Sequence, residues 1–509
     1  MRSYTILISF FFFAQVSFGQ DISKNELPSV TDNPRSKAIG QFYELNNYHF
    51  FWLPGSRMQK ALLADIHQAG SLALNENDYL INQPGYVNTG EGLMSREDSI
   101  RTELWFTDAA LHLFSEVKNG NLVPPFGYNG LGYVPSINNL PEQIIKAFRD
   151  GRSAGLVKEL QPNTKAYREG LALFQRFRES LSAADFKNVQ ISSAKTDSSN
   201  KALLQRLYQL GVTDTLYSRP TKKEVVALVR RGQKRFDLST DGSLRPATMA
   251  AFNIPLEQRA DELKTAINYF RWMHDIMDNA SVLILNIPSA GFDVYEKSML
   301  LLHSRVITGK PSTPTPTLTS TIKEVILYPY WTVPKNIATR EMLPIIKRNV
   351  NYLAQGNFQV LNIQGKVVDP ASINWHSLGS SNFPYTIRQS TGCDNSLGLV
   401  KFNLYNPFTV YLHDTPSKML FASARRFYSH GCMRVEKPVD LAHLVLGQNR
   451  MAIDTLTEKG CLEHQSPVVV AVSKPLPVIV LYSTVWYDEQ DSIVFYDDIY
   501  KRMPWIPRK

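Results

Sequence analysis

The sequence predicts a multidomain α+β protein, in which a helical amino-terminal part is followed by a mostly β carboxy-terminal domain. Two observations carry this prediction. Apolar residues recur at helical spacing through the first half of the chain, and after residue 281 they gather in short β-branched runs bounded by turn residues. A third observation is the length of 509 residues, which exceeds one ordinary core and indicates about three domains.

Residues 1–19 have the composition of a secretory signal. Arg2 precedes an apolar stretch over residues 6–14, and small residues precede the expected cleavage point after Gly19. The stretch is far shorter than the ~20 residues that a membrane span needs. We therefore expect an exported protein with no transmembrane segment in the mature chain; an uncleaved anchor is the alternative.

Residues 20–191 are predicted to form a helical scaffold. Leu104, Leu113 and Val117 recur at helical spacing, and a further helix is expected to begin at Pro141. The sequence pattern of this region indicates no catalytic residue. A connecting helix over 256–280 is expected to lead from the helical part into the strands.

A smaller helical unit is predicted over residues 192–255. Its last part reads DGSLRPATMAAF (241–252), after two helical stretches. This pattern resembles the peptidoglycan-binding-domain-1-like module, with Gly232 and Arg245 in places where that module usually has phenylalanine and glycine. The resemblance implies contact with glycan; a plain helical spacer is the alternative.

Residues 281–505 are predicted to form the mostly β domain. The apolar runs bounded by turn residues lie at 282–288, 300–307, 405–412, 468–472 and 478–481. Alternating proline and threonine over 312–316 indicates an extended loop, and one helix is expected after Pro438.

The chemistry of the chain is concentrated near its carboxy terminus. Cys432 follows Ser429, His430 and Gly431, and His413 lies nineteen positions before the cysteine. A thiol needs a neighbouring imidazole or backbone N–H groups to act as a nucleophile, and a glycine lets those N–H groups turn towards the sulfur. A buried cysteine packed as a small apolar residue is the alternative interpretation.

The segment 388–438 resembles the active-site region of L,D-transpeptidases with a YkuD-type catalytic domain, in particular the large multidomain periplasmic (YcbB-like) subgroup. The resemblance implies that Cys432 is the nucleophile and His413 the general base. By the same resemblance, His430, Gly431 and the Cys432 amide shape the oxyanion side. Substrate binding is implied for Arg434, Ser429, Tyr411, Trp331 and Arg388.

Further blocks extend the resemblance over most of the chain. The segment that begins at Trp331 is similar to a capping subdomain over about 331–390, and the runs 476–484 and 497–500 are similar to closing strands. One departure is Ser390 to Cys393, where the family usually has a proline-glycine-proline run; this affects the rim of the cleft.

The resemblance also implies a substrate and a location. Cys432 would attack a peptidoglycan tetrapeptide stem, release D-Ala and form a thioester that a second stem resolves as a 3→3 cross-link. Peptide stems and glycan strands are the implied partners, the periplasm or cell envelope is the implied location, and a monomer without cofactor is expected. The alternatives are an L,D-carboxypeptidase, a stem-editing or protein-anchoring transferase, and a non-catalytic wall-binding protein.

The rest of the sequence argues against a nucleic-acid-binding protein and against a metal site. The net charge of +9 is spread along the chain without a dense basic block, so no nucleic-acid partner is expected. Cys461, His464 and His443 lack the paired spacing of a zinc site, so no metal is expected. Cys393 can pair with Cys461 while Cys432 stays free, or all three cysteines can be reduced.

Overall fold

A computed structural model describes residues 21–28, 34–84, 95–447, 453–455, 459–460 and 465–503, so the predicted signal at 1–19 lies outside the described residues. The chain divides into two compact units, Met1–Asn121 with Ser136–Gln161, and Leu122–Pro135 with Pro162–Lys509. In the described ranges, no helix combines the length and the apolar character that a membrane crossing requires.

The first unit is helical. Its helices are α1 (Pro34–Leu45), α2 (Arg57–His67), α3 (Arg96–Asn119), α4 (Leu140–Arg149) and α5 (Ser153–Leu160). Trp52 packs against Phe148 and Phe106 at ring-centre distances of 5.0 and 5.9 Å. The buried Glu103 on α3 accepts hydrogen bonds from the Phe51 and Trp52 backbone N–H groups at 2.6 and 2.8 Å. The loop before α2 is therefore held by a buried carboxylate.

The second unit begins with helices and continues into strands. The helices are α6 (Lys165–Ser182), α7 (Lys201–Gln209), α8 (Lys222–Arg235), α9 (Pro246–Phe252) and α10 (Leu256–Asn279). On α10, the buried Arg271 donates from Nε and Nη2 to the Tyr167 hydroxyl of α6, at 3.0 and 2.8 Å. The two helices are thus joined through a buried polar contact as well as by apolar packing.

The turn between α8 and α9 is organised by Gln233. Its amide nitrogen donates to Asp241 Oδ1 at 2.9 Å and to the Ser243 carbonyl at 3.0 Å, and its oxygen accepts the Gly242 N–H at 2.8 Å. Because an amide side chain both donates and accepts, one buried residue satisfies both sides of the turn. This explains why glutamine precedes an Asp-Gly turn in the sequence.

The strands follow α10, apart from one short strand before it. They are β1 (Tyr128–Asn129), β2 (Ser281–Asn286), β3 (Gly291–Glu296), β4 (Met299–Gly309), β5 (Leu318–Leu327), β6 (Trp331–Thr332), β7 (Phe358–Leu361), β8 (Val367–Val368), β9 (Thr386–Gln389), β10 (Val400–Leu404), β11 (Leu412–His413), β12 (Phe427–Ser429), β13 (Met433–Val435), β14 (Val468–Leu481), β15 (Val485–Tyr487) and β16 (Ile493–Phe495). The last two form a two-stranded sheet with each other.

The main sheet has the described strand order β1-β5-β10-β11-β13-β4-β3-β2-β14, with β12 beside β4. Strand β14 also pairs with β5, so the order closes on itself. Alternate residues, such as Leu283 and Leu285, point into the enclosed core, as expected for period-two strands. The helix expected after Pro438 is present at Pro438–Leu446, and its buried face packs on this core.

One predicted strand is wrong. Residues 405–411 form a turn, and the strands lie on either side of it, β10 before it and β11 from Leu412. The Asn406 side chain donates to the carbonyls of Leu404 and Val410, both at 2.8 Å, and accepts the Phe408 N–H at 3.0 Å. A side chain that bonds its own neighbouring backbone competes with a strand ladder, so the apolar run folds as a turn.

A second, four-stranded sheet, in the order β6-β9-β7-β8, lies within residues 331–389. Its helical part comprises α11 (Lys335–Ile337), a π-helix (Ala338–Met342), α12 (Leu343–Arg348) and α13 (Asn351–Gln355), and the helix after Pro438 is α14. This sheet and its helices enclose an apolar core of their own, which includes Met342, Val360 and Trp375. We refer to residues 331–389 as the second-sheet segment.

Arg206 on α7 provides a test of the helical packing. It is fully buried, and its guanidinium donates to the Phe252 carbonyl at 2.6 Å and to the Ile254 carbonyl beyond α9. Arg206→Leu leaves both carbonyls without donors, so we expect the free energy of unfolding to fall by about 2–4 kcal/mol. The measurement is urea unfolding followed by circular dichroism. The exposed Arg178→Leu is the control, and equal midpoints for the two variants would contradict this account.

Candidate active site

Cys432 lies in a tight turn between β12 and β13. The Ser429 hydroxyl donates to the Cys432 carbonyl at 2.5 Å and accepts the Gly431 N–H at 3.1 Å, so one side chain closes the turn from both sides. Gly431 has φ of +116°, a backbone conformation that favours glycine. The glycine of the motif is therefore required by the backbone path that presents the cysteine.

The turn is supported from outside by the loop 312–316, which the sequence predicted as extended. Thr313 Oγ1 donates to the Ser429 carbonyl at 3.2 Å, and Thr315 Oγ1 donates to the Gly431 carbonyl at 2.8 Å. Tyr500 reaches the same loop, where its hydroxyl accepts the Thr315 N–H at 3.2 Å. Both carbonyls of the turn thus have fixed partners.

His413 reaches the same region because β11 runs parallel to β13. The register pairs Leu412 with Met433 and His413 with Arg434, which sets Tyr411 beside Cys432. Side chains two residues apart share a sheet face, and the rings of Tyr411 and His413 lie 5.6 Å apart. The pairing of two short strands therefore places the histidine and the cysteine on one face.

The tautomer of His413 follows from its hydrogen bond. Nδ1 lies 2.5 Å from the Asp414 carbonyl, which only accepts, so Nδ1 carries the proton and Nε2 is left as the basic nitrogen. Asp414 is itself held, because its carboxylate accepts the Leu399 N–H at 2.9 Å and the Thr415 N–H at 2.7 Å. A side chain at Gly398, which has φ of +59°, would collide with that carboxylate.

The environment keeps His413 neutral. The pKa of this imidazole is lowered to about 3, mainly by burial and also by the positive charges of Arg434 and Lys401, while the bond to Asp414 acts in the opposite direction. Burial disfavours the charged form because the imidazolium loses its solvation. The histidine is therefore available as a proton acceptor throughout the neutral range.

The thiol is neutral as well, and its surroundings partly favour the thiolate. Burial raises the pKa of Cys432, whereas the Tyr411 backbone N–H and hydroxyl and the charges of Lys401 and Arg434 lower it. The Lys401 ammonium lies 4.2 Å from the centre of the Tyr411 ring, so this lysine and tyrosine flank the sulfur together. Cys432 and His413 do not hydrogen-bond to each other in this structure. Such contacts often tighten only when substrate binds.

The site opens into a cavity of about 550 Å³. Its walls come from the Cys432 turn, from β11 and the preceding turn, and from the second-sheet segment. Apolar and aromatic side chains make up much of the lining: Trp331, Ile337, Met342, Ile345, Tyr352, Phe358, Leu397, Phe408, Val410 and Tyr411. Polar and charged side chains also line the cavity: Thr313, Asn336, Glu341, Ser396, Thr409, His413, Ser429, His430 and Arg434.

Seven of the residues singled out in the sequence line this cavity: Cys432, His413, His430, Ser429, Arg434, Tyr411 and Trp331. Two do not. Gly431 is buried in the turn, and Arg388 donates to Gln359 Oε1 and lies 4.4 Å from the centre of the Tyr330 ring. Arg388 therefore contacts neighbours on its own sheet instead of the cavity.

The His430 side chain is bonded to the second-sheet segment. Its Nε2 lies 2.8 Å from Glu341 Oε1 in the second-sheet segment. Ser429 likewise uses its hydroxyl within the turn, although it lines the cavity. These two motif residues thus bond to protein partners, and the thiol is flanked by Tyr411 and Lys401 instead.

Three residues of the site were missed by sequence reasoning, namely Lys401, Asp414 and Glu341. Lys401 is a polar position in an alternating strand, which by itself indicates a solvent-facing side chain. Asp414 acts on His413 through its backbone carbonyl, which no sequence pattern reveals. The position of Glu341 depends on a π-helix, and π-turns carry no recognised sequence signal here.

The cysteines differ in state. Cys393 is disulfide-bonded and Cys432 is a free thiol, while Cys461 lies outside the described residues. His443, considered for a metal site, lies 3.0 Å from Asp454 Oδ1, and His464 also lies outside the described residues. A free thiol and a neutral imidazole in one enclosed cavity define the class of site that cysteine nucleophiles occupy.

Comparison with known families agrees with this class. Residues 280–470 match the family described as the L,D-transpeptidase catalytic domain, YkuD, and residues 37–171 match the scaffold domain. Cys432 and His413 both lie in the region that matches the L,D-transpeptidase catalytic domain.

Individual relatives cover only part of the chain. A Haemophilus influenzae protein, provisionally assigned as an L,D-transpeptidase, is 38% identical over 245 residues, which are 47% of this chain and 47% of that protein. The match therefore spans about half the length of this curated relative.

Two solved structures are more distant. A Mycobacterium smegmatis L,D-transpeptidase is 14% identical (TM-score 0.19), with 39% of this chain and 58% of that chain covered. L,D-transpeptidase 3 from Mycobacterium tuberculosis, solved with a faropenem-derived adduct, is 13% identical (TM-score 0.20), with 40% and 60% covered. Scores this low do not establish a shared fold.

Tyr411→Phe tests the electrostatics of the thiol. The variant removes a hydroxyl that lowers the pKa of Cys432, so we expect the midpoint of the pH dependence of iodoacetamide alkylation to rise. Tyr428→Phe, at a half-exposed tyrosine outside the cavity lining, serves as the control. An unchanged or lower midpoint in Tyr411→Phe would show that the hydroxyl does not favour the thiolate.

Proposed function

We propose that the protein is an L,D-transpeptidase that acts on peptidoglycan tetrapeptide stems through a thioester on Cys432. The observation that carries the proposal is a free thiol and a neutral, correctly tautomerised His413 in one cavity of a domain that matches the L,D-transpeptidase catalytic family. A positive charge at Arg434 lies beside the sulfur, where the terminal carboxylate of a stem would be held.

In the first half-reaction, the Cys432 sulfur attacks the carbonyl that joins the third stem residue to the terminal D-Ala. The thiol proton passes to Nε2 of His413, the C–N bond breaks, and the same proton is delivered to the departing D-Ala nitrogen. This order of events suits a neutral thiol and a neutral imidazole, because the thiol proton passes to the imidazole only as the sulfur attacks.

The oxyanion of the tetrahedral intermediate requires donors that are already oriented. The Gly431 N–H is engaged by Ser429, and His430 Nε2 is engaged by Glu341, so the Cys432 N–H is the donor that we assign among the residues of the motif. Ser429 and Gly431 are thereby positioning residues, which hold that amide in place.

In the second half-reaction, an amine of a neighbouring stem attacks the thioester and forms the 3→3 cross-link. Water at this step would instead give L,D-carboxypeptidase activity. We further propose that the second-sheet segment caps the cavity, because it contributes Trp331, Ile337 and Tyr352 to the lining. The unit at 192–255 is proposed to contact glycan, and the enzyme to act as a monomer in the cell envelope.

The decisive experiment incubates purified protein with disaccharide-tetrapeptide and follows the products by mass spectrometry. We expect release of D-Ala and a cross-linked dimer, and complete loss of both in Cys432→Ala because the nucleophile is gone. Tyr428→Phe is the control. Equal product from Cys432→Ala would contradict the assignment. Release of D-Ala without a dimer would identify a carboxypeptidase, and binding to sacculi without turnover would identify a wall-binding protein.

The state of His413 predicts the pH profile. Because its folded pKa is about 3, kcat/KM should fall no more than about twofold from pH 7 to pH 5, with no acid limb near 6.5. Between pH 6.5 and pH 3, the unfolded state binds more protons than the folded state does. The folded state therefore loses stability as the pH falls through that window. Circular dichroism at each pH separates the two effects. An acid limb near 6.5 in folded protein would show that His413 is not desolvated.

A further inference from the structure

The position of Glu341 is unusual for a surface carboxylate. Its Oε1 lies 2.8 Å from His430 Nε2, half of its side chain is exposed, and it lines the cavity that holds Cys432. Among the described residues that line this cavity, it carries the sole carboxylate. One carboxylate oxygen is therefore engaged, and the side chain still faces the space in which substrate would bind.

The backbone around Glu341 is equally unusual. It lies in a π-helix, Ala338–Met342, between two stretches of α-helix. Each π-turn inserts a residue relative to an α-helix and rotates the residues that follow, and such turns are frequent at functional sites. Here the insertion lies where Ile337, Glu341 and Met342 all line the cavity.

Charges of both signs act at the cavity. Arg434, which lines it, and the nearby Lys401 are positive, and their charges favour the thiolate and disfavour protonation of His413. The second-sheet segment contributes the negative charge of Glu341. An anionic group is therefore stabilised beside Arg434, whereas a cationic group is repelled there and attracted to Glu341.

We propose that Glu341 is the residue that binds the incoming acceptor, and that this acceptor is an amine arriving in its ammonium form. This inference rests on the proposed function, because it assigns the second half-reaction of the same site. In a charge-assisted hydrogen bond, Glu341 holds the ammonium beside the thioester. His430, bonded to Glu341, keeps the carboxylate oriented, which makes His430 a positioning residue.

The acyl transfer balances as follows. The ammonium loses one proton to the Glu341 carboxylate, from which it passes to water. The amine nitrogen then forms a C–N bond with the thioester carbonyl carbon, and the C–S bond breaks. The second nitrogen-bound proton passes through His413 to the departing sulfur, which restores the Cys432 thiol. Water needs no ammonium site, so Glu341 favours transfer to amines over hydrolysis.

The test compares a cationic and a neutral nucleophile on the same acyl-enzyme. Full-length protein is supplied with disaccharide-tetrapeptide and either the amide of D-methionine, which is an ammonium ion near neutral pH, or hydroxylamine, which is neutral. In Glu341→Gln, we expect transfer to the D-methionine amide to fall about tenfold or more relative to hydrolysis, with transfer to hydroxylamine changed less than about twofold. Glu341→Asp should recover part of the amine transfer, and Arg340→Gln, exposed in the same π-helix, is the control.

The outcomes are separable from those of the proposed function. If the wild-type protein releases no D-Ala and forms no thioester by intact mass, the proposed function fails and the inference fails with it. If the thioester forms and Glu341→Gln transfers the cationic amine as well as the wild type does, the inference alone is overturned. An equal loss for both nucleophiles would likewise overturn it, since it would show a structural effect without charge selectivity.

Discussion

The parallel pairing of β11 with β13 is the constraint on which the site depends. It sets His413 opposite Arg434 and Tyr411 beside Cys432, so two residues nineteen positions apart share one sheet face. Each strand is only two or three residues long. Their register is held by their neighbours, since β10 pairs with β11 and β4 pairs with β13. The closed main sheet therefore holds the register of these two short strands, which they could not maintain alone.

Burial determines the chemistry that this geometry allows. The desolvated imidazole and the desolvated thiol are both neutral, so the site is not a preformed ion pair. The positive charges of Lys401 and Arg434 disfavour a positive charge on His413 and favour a negative charge on the Cys432 sulfur. The same two charges would stabilise an anionic substrate group, so one electrostatic arrangement suits both the thiolate of Cys432 and the proposed binding of a stem carboxylate.

The turn that carries Cys432 shows which contacts the sequence motif reveals and which it does not. Its serine, glycine and cysteine form a local unit in which Ser429 bonds both flanking backbone groups, and this unit is recognisable because its parts are adjacent in the chain. His430 is adjacent too, yet its partner is Glu341, eighty-nine positions away. Arg388 was expected at the cleft and instead stacks over Tyr330, because strand pairing on its own sheet determines where it points.

The sequence by itself determined the helices and most of the strands, because these depend on local periodicity, and its compact motif singled out Cys432 and His413, the proposed nucleophile and base. Only the tertiary structure decided the roles of Lys401, Asp414 and Glu341. An alternating strand marks Lys401 as solvent-facing, yet its ammonium lies over the Tyr411 ring. Asp414 acts on His413 through its backbone carbonyl. The position of Glu341 depends on a π-helix. Each of these roles arises from elements brought together by pairing and packing, and such long-range contacts leave no local pattern in the chain.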